Sequence, residues 1–149
     1  LLRVPELGEV EVRVTVPELR AVRLSGAGQV RSAGVLSVKD LELRLSGAGR
    51  VRLELQARRV DTRLSGAGAV ELAGTAEELD IRLSGAGVVQ AERLTARRVQ
   101  IRASGAGECR VQATETLEVE VSGAGSVRYR GKPRIESRIT GVGRLSPLD

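Results

Sequence analysis

Apolar and polar residues alternate with a period of two along most of the chain. The pattern is cleanest between Leu41 and Leu64, where Leu41, Leu43 and Leu45 alternate with Glu42 and Arg44, and Val51, Leu53 and Leu55 alternate with Arg50, Arg52 and Glu54. An i, i+2, i+4 spacing predicts strands with one buried face, whereas a helix would repeat at i, i+3, i+4, i+7. Ser46-Gly47-Ala48-Gly49 separates the two stretches, and a shorter one around Ala57 to Val60 leads to the next such tetrapeptide. Ser-Gly-Ala-Gly occurs six times, with a degenerate seventh copy at Thr140-Gly141-Val142-Gly143. Successive copies are 21, 19, 19, 20, 18 and 18 residues apart.

This repeat predicts a coil. About 19 residues at roughly 3.3 Å each give a contour of about 60 Å, enough for three short strands joined by tight corners. Coils stacked about 4.8 Å apart pair each strand in parallel with its equivalents above and below. The fold expected is all-β: a parallel β-helix, or β-solenoid, of seven to eight coils, right-handed by the usual rule for parallel crossovers. Its corners are Gly26 and Gly28, Gly47 and Gly49, Gly66 and Gly68, Gly85 and Gly87, Gly105 and Gly107, and Gly123 and Gly125, because a corner needs backbone angles that a Cβ resists. Residues 1–9, punctuated by Pro5 and Gly8, read as an N-terminal remnant or cap, residues 10–145 as the solenoid, and residues 146–149 as a C-terminal tail. Val10, Val12, Val14 and Val16 form the first alternating strand, and Pro17 marks a turn after it.

Aligned copies give columns. Two residues after the second Gly come Val30, Val51, Val70, Val89, Cys109, Val127 and Leu145, an inward ladder in which Cys109 takes a valine's place. That reads as a small buried hydrophobe rather than a reactive thiol. Two residues before each Ser stand Arg23, Arg44, Arg63, Arg82, Arg102, Glu120 and Arg138, beside a column of Ala21, Glu42, Asp61, Asp80, Gln100, Glu118 and Glu136. Mutual neutralisation is the first reading of this face, and a binding stripe at Arg44, Arg63, Arg82 and Arg102 is the alternative. On a third face Arg58-Arg59 corresponds to Glu77-Glu78, then to Arg97-Arg98, then to Glu115. Opposite charges across strands stabilise and like charges do the reverse, so this alternation selects stacking in sequence order.

Composition narrows the chemistry. The 149 residues include no His, Met, Trp or Phe and one aromatic, Tyr129, so the core must be built from Leu, Val, Ile and Ala. Without His there is no conventional catalytic triad or His-containing zinc site, and one Cys excludes an internal disulfide. No catalytic residue, cofactor or metal site is therefore expected. The third glycine of a dinucleotide loop is missing from every copy. Tyr129 falls on an inward position near the last coil and reads as a plug closing the core. The net charge of +5 comes from 22 Arg and 2 Lys against 15 Glu and 4 Asp. Arginines interleaved with carboxylates do not suit a specific nucleic-acid surface. No apolar run approaches membrane-spanning length. The chain starts at Leu1 rather than Met, which reads as a segment of a longer protein.

The repeated Leu-Ser-Gly-Ala-Gly-x-Val, the lead-in Val14-Thr15-Val16-Pro17-Glu18-Leu19 and the closing Val127-Arg128-Tyr129-Arg130-Gly131-Lys132-Pro133-Arg134-Ile135 carry a family resemblance. From about Val10 to Leu145 the chain resembles the bacterial auto-transporter adhesin, head GIN domain family (DUF2807). The resemblance implies a right-handed parallel β-helix in an extracytoplasmic setting, periplasm or cell surface. The function expected is that of a noncatalytic envelope module with an adhesion or scaffold role. Its candidate partners are a surface polysaccharide, an envelope protein, or a second copy joined through solenoid ends or edges. A self-assembling structural solenoid is one alternative, and a carbohydrate-active β-helix enzyme is another, disfavoured by the missing His and aromatic platforms.

Overall fold

The computed structural model describes residues 2–4, 9–12, 21–26 and 28–147. Its strands are β1 (Leu2–Val4), β2 (Glu9–Val12), β3 (Ala21–Gly26), β4 (Gln29–Gly47), β5 (Arg50–Gly66), β6 (Ala69–Gly85), β7 (Val88–Gly105), β8 (Glu108–Gly123), β9 (Ser126–Arg130), β10 (Arg134–Gly141) and β11 (Arg144–Pro147). All pair in parallel within one sheet that winds around a thin core, so the chain is the expected β-solenoid. Seven corners stand in register from Gly26 through Gly47, Gly66, Gly85, Gly105 and Gly123 to Gly141, and they enclose about six turns rather than the seven to eight coils expected, because seven corners bound six intervals. β1 and β11 add partial layers at the two ends, so Ser146 and Pro147 of the expected tail lie in a strand. Val14, Val16 and the turn expected at Pro17 fall outside the described residues.

Each of β4 to β8 runs without a break from one glycine corner to the next, and its bends show as slips in the phase of burial. In β7, Val89 and Ala91 face inward, then Leu94 and Ala96, then Val99, Ile101 and Ala103. The phase slips at Glu92-Arg93 and again at Arg97-Arg98, which divides the coil into the three sides that the repeat length predicts. Inward residues stack on their equivalents one layer away. The Val30, Val51, Val70, Val89, Cys109, Val127 column is buried to within 1% exposure along its whole length, and half-buried Leu145 caps it. Burying each large aliphatic side chain contributes about 1.5–3 kcal/mol, so the repeated columns hold the stack together. Tyr129 lies half-buried against the core beside Val111, in the closing position expected of it.

Both glycines of a corner lack room for a Cβ, which on Gly66 would lie 2.5 Å from the Gly47 carbonyl oxygen, and the first needs positive φ as well. The first takes a positive φ in each described copy from Gly47 onward, 96° at Gly47 and 100° at Gly66, a region where an L-residue loses about 1–2 kcal/mol. The second has ordinary φ but no room: a Cβ on Gly68 would lie 2.6 Å from the Gly49 carbonyl oxygen and 2.7 Å from Leu45 Cδ2. Close approach at that position lets backbone hydrogen bonds carry the ladder round the bend. Ala67 N donates to Gly47 O and Ala69 N to Gly49 O, both at 3.0 Å. Gly74, outside the motif, is as constrained, with φ of 119° and an ideal Cβ position 1.8 Å from Leu55 O.

Unequal repeat lengths are absorbed away from these corners. Between paired positions, β4 spends four residues from Arg31 to Val35 where β5 spends two, from Arg52 to Glu54. β7 holds one extra residue against β6 between Gln90 and Arg93. Against β8 it holds three extra between Ala91 and Thr95, and β8 regains one between Ala113 and Thr116. The sides flanking Ser-Gly-Ala-Gly therefore stay in register, and the third side and its bends take the slack.

Gly66→Ala and Gly68→Ala should each lower stability by about 2 kcal/mol or more, the first through both φ and contact and the second through contact alone. Ser65→Ala, on the exposed neighbour, should leave the midpoint nearly unchanged. Thermal melts followed by circular dichroism compare the three.

Candidate functional site

The expected arginine stripe is one ladder. Arg23, Arg44, Arg63, Arg82, Arg102, Glu120 and Arg138 are successive parallel partners, as are Ala21, Glu42, Asp61, Asp80, Gln100, Glu118 and Glu136 two residues earlier. From Arg23 to Arg102 parallel register stacks like on like, so neutralisation there must come from within each strand, and beyond it Glu120 stands between Arg102 and Arg138. Arg44 pairs with Glu42, and Arg63 Nε lies 4.0 Å from Asp61 Oδ1. Both arginines remain more than 40% exposed, so each pair contributes well under about 1 kcal/mol to stability. Among the described residues Arg82 and Arg102 make no ion pair, although Asp80 precedes the first. Gln100 stands in the acid's place before the second. The four arginines singled out by sequence are thus brought together, but as two paired and two unpaired cations.

Toward the last layers the sign of the face changes. Gln100, Arg102, Glu118, Glu120, Glu136 and Arg138 line a shallow open groove there, where Glu120 interrupts the arginine column. The corner edge beside this face is exposed: Ser46, Ser65, Ser84, Ser104 and Ser122 form a column of outward hydroxyls.

The third face alternates in sign. Asp40, Arg59, Glu78 and Arg98 are successive partners, and Arg98 Nη1 lies 3.3 Å from Glu78 Oε1. Thr116 stands beside Arg98, and Glu115, the expected continuation, falls within the register slip between Ala96 and Arg98. Sequence reasoning missed Asp40, although it stands seven residues before Gly47, as Arg59, Glu78 and Arg98 stand before Gly66, Gly85 and Gly105.

Chemistry has little foothold. Among the described residues no three His, Cys, Asp or Glu side chains gather as metal ligands. Cys109 is fully buried and free, and burial first, then the nearby Glu108 charge, pushes its thiol pKa from 9.0 up to about 12. A thiol held protonated in this way is no nucleophile at neutral pH.

The profile of the family described as putative auto-transporter adhesin, head GIN domain, matches residues 3–133. The chain belongs to this family. Among solved structures, a putative adhesin from Bacteroides fragilis is 30% identical, with a TM-score of 0.84 over 89% of this chain and 62% of its own. A putative adhesin from Parabacteroides merdae shares the fold at 22% identity and TM-score 0.86, over 99% of this chain and 60% of its own. A protein from Parabacteroides distasonis described as a putative lipid binding protein does so at 24% and 0.85, over 99% and 58%. The GIN-domain chain thus spans about 60% of the length of these structures. No curated protein matches it. The family and these neighbours are named as adhesins or as a lipid-binding protein rather than as enzymes.

Glu78→Lys should lower the melting midpoint by setting three cations in a row, costing about 1 kcal/mol, with the loss shrinking in high salt. An unchanged melt would contradict the register of this face. For Cys109 the raised folded-state pKa means that the native protein keeps a proton which the unfolded chain loses above about pH 9. Stability is therefore full below pH 9 and falls by roughly 1.4 kcal/mol per unit as the pH rises toward 12. Cys109→Val should match the parent near pH 7 and lack this part of the alkaline loss, as denaturant titrations across that range would show.

Proposed function

We propose that this chain is a noncatalytic adhesion or scaffold module of the bacterial envelope, outside the cytoplasm, that binds through its lateral arginine ladder. The observation carrying this reading is the alignment of Arg44, Arg63, Arg82 and Arg102 on an exposed face, with Arg82 and Arg102 unpaired among the described residues. Cations repeating about every 4.8 Å along a straight edge suit an extended anionic partner better than a compact ligand. A surface polysaccharide bearing carboxylate or phosphate groups fits that spacing through charge-assisted hydrogen bonds from the guanidinium forks. An acidic stretch of an envelope protein offers the same chemistry. The adhesin description of the family and of the Bacteroides fragilis neighbour supports the reading.

Binding to immobilised acidic and neutral bacterial polysaccharides tests it. Acidic polymers should be retained and released by salt. Arg82→Glu and Arg102→Glu should weaken retention more than Arg44→Glu or Arg63→Glu, whose partners already carry acid. Equal retention of neutral and acidic polymers, or indifference to all four changes, would refute the assignment. Hydrolysis of any polymer would refute the noncatalytic part.

A further inference from the structure

We propose that a groove on the outer face of β5 to β7, floored by Ala73, is a binding site for one neutral sugar unit of a glycan, held through its hydroxyls. The groove encloses about 200 Å³ and crosses three inner layers, with β4 and β8 paired on either side of them. It lies on the side of the coil that leaves the corner, round the bend from the arginine ladder. Two features of the chain open it. Ala73 stands between Glu54 in the layer before and Arg93 in the layer after, so one methyl occupies a place where its neighbours carry long side chains. In β7 the extra residue between Gln90 and Arg93 makes a bulge: Ala91 and Leu94 are buried, and the two consecutive residues between them, Glu92 and Arg93, both turn outward. Bulges re-aim side chains in this way beside functional sites.

The chemistry of the lining selects the ligand. Glu54, Glu71 and Glu92 bring carboxylates, Arg52 and Arg93 guanidiniums, and Gln90 an amide. An anion would meet the carboxylates and a cation the guanidiniums, whereas a hydroxyl donates to the first and accepts from the second. Arg52 Nε lies 3.1 Å from Glu71 Oε2, which fixes one edge of the groove. Among the described residues Gln90, Glu92 and Arg93 make no side-chain hydrogen bond or ion pair, so the opposite edge keeps its donors and acceptors for a ligand. Glu92 Oε2 is shut off from solvent with no partner, and rotating the carboxylate into the groove would replace an unsatisfied acceptor with a bonded one. A sugar ring matches this arrangement. Hydroxyls around its rim reach carboxylate, guanidinium and amide together, and its C–H face rests on the Ala73 methyl. The volume is below the about 300–1,000 Å³ of sites that enclose drug-sized ligands, so the groove takes one ring and leaves the rest of a glycan outside. With no aromatic side chain in the lining, polar contacts carry the binding and the affinity for one unit is low. This inference does not rest on what the arginine ladder binds.

Titration of the 149-residue chain with the methyl glycosides of glucose, galactose, mannose and N-acetylglucosamine, followed by saturation-transfer NMR, provides the test. At least one of the four should bind saturably, with a Kd on the order of 1 mM that added salt leaves unchanged. Glu92→Gln should weaken that binding about tenfold, since it removes a charged acceptor. Ala73→Gln should abolish it by filling the floor. Circular dichroism should be unchanged in both variants, because both side chains lie on the outer face. Arg82→Glu and Arg102→Glu should leave the sugar bound while weakening retention of acidic polymers, so the two sites fail separately. Saturable binding by none of the four glycosides, binding that persists in Ala73→Gln, or binding lost with Arg82→Glu would each overturn the proposal.

Discussion

The fold depends on the chain turning sharply at the same place in every layer without interrupting the hydrogen bonds between layers. Ser-Gly-Ala-Gly achieves this through two separate relaxations of the usual steric limits. Both glycines remove a Cβ that would strike the carbonyl of the layer below, and the first also bends the backbone through positive φ. Amides following each of them donate across the bend at about the ordinary strand distance. With the corners fixed, the flanking sides are locked in register, and variation in coil length is displaced onto the third side.

In-register parallel stacking puts every residue beside its own equivalents. For the core this is an advantage, since a repeated Val, Leu or Ile column fills a uniform interior with little adjustment. For charges it is a liability, and the chain meets it differently on different faces. Along the third side the sign alternates from layer to layer, so Asp40, Arg59, Glu78 and Arg98 attract across strands. Ahead of the corners the arginines stack together and compensation runs along the strand instead, as from Arg44 to Glu42. Where that compensation lapses, at Arg82 and Arg102, the cations stand exposed and unpaired among the described residues.

Inner columns buried to within a few per cent in the middle layers are exposed at β10, where Ile135 and Ile139 stand beside Leu117 and Val121. Thr62, the single buried polar residue among the described ones, lies in a column that is otherwise aliphatic from Leu43 to Val119, and its hydroxyl has no partner. One such hydroxyl is tolerated because the Leu and Ile neighbours above and below keep the column filled.

Much of this could be read along the chain. Period-two alternation, the spacing of the corners and the charge reversal from Arg59 to Glu78 to Arg98 identify a parallel solenoid and its stacking order, because in-register stacking turns linear spacing directly into contact. The arginine ladder was legible for the same reason. Other features required the coiled chain. The need for a bare glycine at Gly68 and the constraint at Gly74 arise from contacts between neighbouring coils, which no single repeat encodes. Whether an arginine is paired was likewise undecided until side chains were placed beside acids of different reach, Glu42 against Asp61 and Asp80. Sequence by itself determined the layers and what stands in each column. Tertiary structure decided where the columns slip and which charges are spent, because those depend on distances across layers rather than on spacing along the chain.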